Sequence, residues 1–157
     1  MQNFPYLEQK NGGWVWNFPK SLNMATQVCD FWEIKSPEKI CIKDFTDVDL
    51  PLLYSYKDLR KFSDSLAFEL RKRGVGKGDR IGVLLSQEIG CAASHIAIWK
   101  LGAISIPLFK LFGPEALATR LNDANAKYTI TDDEGSENLL PPEFDRLIFN
   151  SIVLKND

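Results

Sequence analysis

The sequence predicts an α/β fold in which helices flank a parallel sheet. Three short apolar runs between Ile81 and Thr131 alternate with two segments of helical pattern. Such alternation is typical of βαβαβ units, whose short links require right-handed crossovers and parallel strands. An arm over residues 1–20, a helix and a β-hairpin are expected before this unit. Residues 21–157 are predicted to form one domain with its core at 54–135.

The N-terminal elements are predicted from breakers and caps. Residues 1–20 are rich in aromatics and broken by glycine and proline, which indicates an extended arm. The arm is expected to pack on its own domain or a neighbouring one or, less favoured, to bind a ligand. A helix is expected over Leu22–Ile34, with Ser21 as its cap, and Pro37 stops it. The runs 39–43 and 52–56 then predict an antiparallel hairpin.

The strongest local signal is a helix that begins after Ser55. Ser55 and Asp58 have the spacing of a capping box, with aspartate in place of the usual glutamate or glutamine. An apolar stripe at i, i+3, i+7 and i+11 follows, formed by Leu59, Phe62, Leu66 and Leu70. The basic residues 71–73 favour the negative end of the helix dipole, and Gly74 is expected to end the helix.

The first strand and helix of the parallel unit are both strongly apolar. Ile81–Leu85 is a continuous apolar run, which is expected of a strand buried on both faces. Ser86 is predicted to cap a helix over Gln87–Leu101, and Gly102 to end it.

The rest of the unit is marked by its prolines. Pro107 is expected at the end of the second strand, Ala103–Leu108, because proline has no N–H for the strand ladder. Pro114 opens a helix to about Ala124. Strands over 127–131 and 146–149 complete the prediction.

Composition narrows the possible functions. A net charge of −2 argues against nucleic-acid binding, which needs a basic surface. No apolar run approaches the roughly 18–20 residues that span a bilayer, and the N-terminus lacks the pattern of a signal peptide. A cytoplasmic protein without a membrane partner is therefore expected. The three cysteines lack metal or redox spacing and are interpreted as small buried hydrophobes.

Candidate functional side chains follow two of the predicted strands. The segment Phe109–Phe112 places two aromatics beside a lysine, which could stack on a planar ring and hold a phosphate. The acids Asp132–Glu134 could bind a metal or a hydroxyl, although ordinary turn acids are favoured. His95, one turn from Cys91, is interpreted as structural, because no third group orients the pair. No glycine-rich phosphate motif follows a strand.

Residues 54–135 resemble the N-terminal part of AMP-forming acyl-CoA synthetases, and most closely the acetyl-CoA and medium-chain acyl-CoA branch. The motifs are Gly78-Asp79-Arg80 before a buried strand, Leu101-Gly102-Ala103 and Phe112-Gly113-Pro114-Glu115-Ala116. The resemblance implies that ATP and a carboxylate give an acyl-adenylate and pyrophosphate. The thiol of CoA then takes the acyl group and AMP leaves. ATP, Mg and CoA are thereby implied for the complete enzyme.

The resemblance also implies a site and a partner. Phe109, Lys110, Phe112 and Gly113 correspond to a region that contacts CoA in the acetyl-CoA branch, which favours paired glycines where this chain has Lys110 and Leu111. The family's phosphate loop and its C-terminal catalytic lysine do not occur in these 157 residues.

The chain is therefore expected to be an N-terminal fragment or split subunit, inactive alone and partnered by the remainder of a synthetase. The alternatives are a stand-alone module that binds CoA or a nucleotide, and an inactive remnant that associates with itself.

Overall fold

Two antiparallel hairpins with a helix between them precede the main sheet in the computed structural model, which describes residues 4–137, 139 and 146–148. The elements are β1 (Tyr6–Lys10), β2 (Gly13–Asn17), a π-helical turn (Thr26–Asp30) that continues into α1 (Phe31–Lys35), β3 (Ile40–Asp44) and β4 (Leu52–Ser55). The hairpin of β3 and β4 is antiparallel as predicted, and its strand ends lie within one residue of the expected positions.

The hairpin of β1 and β2 occupies the segment predicted only as an extended arm. Asn11 and Gly12 connect its strands with φ angles of 52° and 80°. Two consecutive residues at positive φ match the twist of a hairpin, and Asn-Gly is the usual sequence there. The predicted packing of the arm is seen for Phe4, which lies edge-on against Phe31. On the hairpin Trp14 remains 68% exposed, and its packing against a neighbouring domain stays a prediction.

The first helix begins later than predicted. Residues 24 and 25 are already helical, and the cap is Asn23 rather than Ser21, because the Asn23 side-chain oxygen accepts a hydrogen bond from the N–H of Ala25 at 2.9 Å. The side-chain amide of the same residue donates to the carbonyl of Trp99 at 2.8 Å. Asn23 therefore starts the helix and also ties it to the parallel unit.

α2 (Tyr56–Lys72) has the predicted capping box. The Ser55 hydroxyl accepts from the N–H of Asp58 at 3.2 Å, and the Asp58 carboxylate accepts from the N–H of Ser55 at 2.8 Å. Hydrogen bonds from the side chain and backbone of Ser55 hold the pKa of Asp58 below its usual value. In the predicted stripe Leu59, Leu66 and Leu70 are buried, so this face joins the core.

The main sheet has four parallel strands in the order β6-β5-β7-β8. Its elements are β5 (Arg80–Leu84), α3 (Ile89–Lys100), β6 (Ile104–Pro107), α4 (Pro114–Asp123), β7 (Tyr128–Thr131), α5 (Asp133–Glu137) and β8 (Arg146–Ile148). The predicted βαβαβ unit is confirmed. The predicted Ser86 cap is wrong, because α3 begins after Glu88, without a side-chain cap.

Helices cover both faces of this sheet. On one face α2 and α3 pack on β5 through a cluster that includes Leu66, Ala97 and Val83. On the other face α4 packs through Leu117 and Leu121. Because α3 and α4 lie on opposite faces, the loops after β5 and β6 diverge and leave a crevice at the carboxyl ends of the strands, where open α/β sheets bind ligands. None of the described helices is long and apolar enough to cross a bilayer.

Candidate ligand site at the carboxyl edge of the sheet

Three loops meet at the carboxyl edge of the sheet. Ser86 follows β5, the segment Phe109–Gly113 follows β6, and Asp132–Glu134 follow β7 and open α5. Since β5, β6 and β7 are parallel neighbours, the topology brings together loops that are more than twenty residues apart in sequence. We call this group of loops the strand-end site.

Lys110 is the centre of the strand-end site. Its ammonium nitrogen lies 2.8 Å from the Asp132 carboxylate, 2.6 Å from the Glu134 carboxylate and 3.3 Å from the Ser86 hydroxyl. An ammonium group has three N–H donors, and three acceptors surround this one. The sequence predicted the lysine and the acids as separate candidates, and the structure shows them as one cluster.

The charges of this cluster are mutually stabilising. Hydrogen bonds to Asp132 and Glu134 raise the pKa of Lys110 above its usual value. Burial acts to raise the pKa of Asp132, but hydrogen bonds from Lys110 and from the N–H of Gly135 outweigh it and hold that pKa below its usual value. One ammonium and two carboxylates leave the cluster with one net negative charge. The cluster as it stands therefore does not attract an anion strongly.

The two aromatic rings of the β6–α4 loop have different surroundings. Phe109 is 62% exposed and lines an open cavity of about 240 Å³ together with Ser86 and Lys110. Phe112 meets Phe109 edge-on, with ring centroids 5.6 Å apart, and the guanidinium of Arg120 lies 4.1 Å from the Phe112 ring centroid. Of the two rings, Phe109 is thus the more exposed.

Gly113 ends the loop at the start of α4. It is the N-cap residue of that helix, and Pro114 takes the first helical position, as the sequence predicted. Sequence reasoning missed Arg120, which is two helical turns beyond Phe112 and reaches back over its ring. The only sequence signal for this contact is a basic residue on the predicted helix, which by itself does not identify an aromatic partner.

His95 and Cys91 lie one turn apart on α3. His95 stacks on Trp99 with ring centroids 5.9 Å apart, and burial lowers its pKa. Burial also raises the pKa of the Cys91 thiol, which disfavours the thiolate that a nucleophile requires. These shifts agree with the structural interpretation of His95. Within the described part of the chain no group of three or more His, Cys, Asp or Glu side chains could hold a metal ion.

The comparisons with known proteins identify the family of this chain. The family model for AMP-binding enzymes matches residues 32–154, and the chain belongs to that family. The predicted resemblance is thereby confirmed.

Curated relatives narrow the similarity to acetyl-CoA synthetases. The acetyl-coenzyme A synthetase of Coprinopsis cinerea is 35% identical over 130 residues, which cover 80% of this chain and 19% of that protein. The acetyl-coenzyme A synthetase of Halorhodospira halophila is 34% identical over 116 residues, which cover 73% of this chain and 18% of that protein. The chain therefore spans about a fifth of the length of these relatives.

Solved structures share the fold. An acyl-CoA synthetase from Brucella canis superposes with a TM-score of 0.74 and 22% identity, over 86% of this chain and 28% of that chain. The N-terminal subdomain of Klebsiella oxytoca NpsA, in complex with anthranilyl-AMSN, superposes with a TM-score of 0.72 and 17% identity, over 84% of this chain and 32% of that chain. At these identities the comparison supports the fold alone.

Proposed function

We propose that the chain is the N-terminal portion of an AMP-forming acyl-CoA synthetase that joins a carboxylate to CoA at the expense of ATP. The observation that carries the proposal is the similarity to acetyl-CoA synthetases across most of the chain. The family match over residues 32–154 includes every loop of the strand-end site. Mg would accompany ATP in the complete enzyme.

In this proposal the strand-end site contacts CoA. Phe109 offers an exposed ring on which a planar base can stack, and Lys110 next to it is the cation for a phosphate. Phe112 and Gly113 fix the far end of the same loop, through the Arg120 contact and the start of α4. The complete reaction would use this edge in its second step, when the thiol attacks the acyl-adenylate and AMP leaves.

The chain alone is expected not to adenylate carboxylates. Holding a triphosphate requires several converging N–H donors or cations. In the described residues the strand-end site supplies one ammonium, which two carboxylates already neutralise. The sequence contains neither the glycine-rich phosphate loop nor the catalytic lysine of the family.

The partner in this proposal is the remainder of the synthetase. Many exposed apolar side chains lie on the two hairpins, and Phe68 of α2 is exposed to a similar extent. Those of the hairpins include Tyr6, Trp14, Trp16, Phe45, Val48 and Leu50, each at least 58% exposed. Exposed patches of this kind are typical of surfaces that another part of a protein covers. A second copy of the chain is the alternative occupant, which sedimentation at increasing concentration would reveal.

Acetate-dependent exchange of pyrophosphate into ATP tests the proposal. The purified chain is expected to give no exchange above the blank. In a chimera, residues 32–137 replace the matching segment of the Halorhodospira halophila synthetase. This chimera is expected to catalyse the exchange. Exchange by the chain alone would contradict the expectation of inactivity. A chimera that folds, as judged by circular dichroism, but catalyses no exchange would contradict the proposed function.

A further inference from the structure

Lys110 has no free donor for a ligand in this structure. Its three N–H groups face Ser86, Asp132 and Glu134, and only 17% of its side chain is exposed. A phosphate oxygen that approaches Lys110 must therefore replace one of these acceptors. Displacing a carboxylate also removes its repulsion of the incoming phosphate, so the comparison is between Asp132 and Glu134.

Of the two carboxylates, Glu134 is the more easily displaced. Its side chain is 80% exposed, whereas that of Asp132 is 27% exposed. Asp132 is also held by the N–H of Gly135 at 2.7 Å, which fixes the carboxylate at the start of α5. An exposed ion pair stabilises only weakly, so returning Glu134 to water costs little.

We propose that Glu134 is an exchangeable counter-ion of Lys110, so that the strand-end site binds the phosphate of CoA only as Glu134 leaves. Asp132 stays in place and positions the ammonium, while Glu134 competes with the ligand for one of its N–H groups. Glu134 thereby lowers the affinity of the site for phosphate groups. Anions that bind weakly do not displace Glu134 and are excluded from the site. The inference rests on the proposed function, because it takes the phosphates of CoA as the ligand.

The test compares two carboxylates of the same turn. Glu134→Gln and Asp133→Asn each remove one negative charge, but only Glu134 contacts Lys110. Titration calorimetry with CoA is expected to give a dissociation constant about three- to five-fold lower for Glu134→Gln than for the wild type. Asp133→Asn is expected to change the dissociation constant by about two-fold or less, because salt ions screen the charge of Asp133 from the ligand.

A double mutant separates direct exchange from a general charge effect. In a Lys110→Met background, Glu134→Gln is expected to leave the dissociation constant for CoA unchanged, because the ammonium for which Glu134 competes is gone. Equal effects of Glu134→Gln and Asp133→Asn, or a full effect of Glu134→Gln in the Lys110→Met background, would overturn the inference. Failure to bind CoA in every variant would overturn it as well.

A measurement without ligand checks the contact itself. Acetic anhydride modifies lysine amines, and mass spectrometry gives the rate at Lys110 relative to the exposed Lys57. Glu134→Gln is expected to raise this relative rate about two-fold or more, since one shielding acceptor is lost. An unchanged rate would show that Glu134 does not hold Lys110. The exchange assay on the chimera uses a different readout, so a failure of the proposed function can be distinguished from a failure of this inference.

Discussion

Gly82 of the central strand β5 lies against Leu121 of α4, and its replacement by alanine tests this packing. An added Cβ would lie 2.9 Å from a methyl carbon of Leu121, 3.0 Å from the Thr129 hydroxyl oxygen and 3.2 Å from a methyl carbon of Leu108. Ordinary contacts of this type begin at about 3.5 Å. All three neighbours are buried, so they have little room to move away.

The expected cost follows from this crowding. Inserting a methyl group into a close-packed core typically costs about 1–3 kcal/mol. For a small protein the urea dependence of unfolding is about 1–3 kcal/mol per molar, so with a value near the middle the midpoint falls by roughly 0.5–1.5 M. Leu108 directly precedes Phe109, and the strain is therefore expected to reach the strand-end site.

Urea unfolding followed by circular dichroism measures this change. Gly76→Ala is the matched control, because a Cβ at Gly76 meets nothing within 4 Å. The control is expected to leave the midpoint unchanged or raise it slightly, since alanine restricts the unfolded chain. If the two variants had the same midpoint, the close approach of α4 to β5 at Gly82 would be refuted.

Two further predictions concern the capping box and the Lys110–Asp132 pair. Ser55→Ala removes the hydroxyl cap of α2 and is expected to lower the free energy of unfolding by about 1 kcal/mol. Ser65→Ala in the same helix is the control and is expected to be neutral or mildly stabilising. Equal urea midpoints for the two variants would contradict the role of the cap. Because the folded-state pKa of Asp132 is depressed, this residue contributes to stability above its unfolded-state pKa of about 4. That contribution is lost as the pH falls through the folded-state pKa. Because the folded-state pKa of Lys110 is raised, this residue contributes to stability below its unfolded-state pKa of about 10. That contribution is lost as the pH rises through the folded-state pKa. The stability difference between wild type and Lys110→Met, from urea unfolding, is thus expected to be largest between about pH 5 and 9; a difference independent of pH would contradict the ion pair.

Local patterns predicted most elements of the fold. The capping box of Ser55 and Asp58 depends on residues three apart, and the apolar run of β5 needs no distant partner to be recognised. The missing N–H of Pro107 predicts its position at a strand end. The structure adds that β6 is an edge among the described strands, where this loss costs no ladder bond.

The misses have two physical causes. The Asn11-Gly12 turn was a local signal that the sequence analysis overlooked, because the aromatic residues around it show no clean alternation. The caps at Ser21 and Ser86 were wrong since a serine before a helix has other possible partners. Ser86 instead accepts a hydrogen bond from Lys110.

The sequence predicts the residues of the candidate site but not their mutual contacts. Position at a strand end identified Lys110 and the acids separately. Their mutual contacts span 22 and 24 residues, and they depend on which strands are neighbours in the sheet. The order β6-β5-β7-β8 was not part of the prediction, so the neutralisation of Lys110 by two carboxylates was not predicted either.

Nuclear magnetic resonance of the ¹⁵N-labelled chain during a CoA titration tests the strand-end site most directly. Saturable shifts are expected for the amides of Ser86, Lys110, Gly113 and Gly135, with an affinity in the millimolar range while Glu134 holds Lys110. Amides of the distant α2 are expected to stay unchanged. No shifts at millimolar CoA, or saturable shifts confined to residues outside the three strand-end loops, would contradict the assignment of CoA to this edge of the sheet.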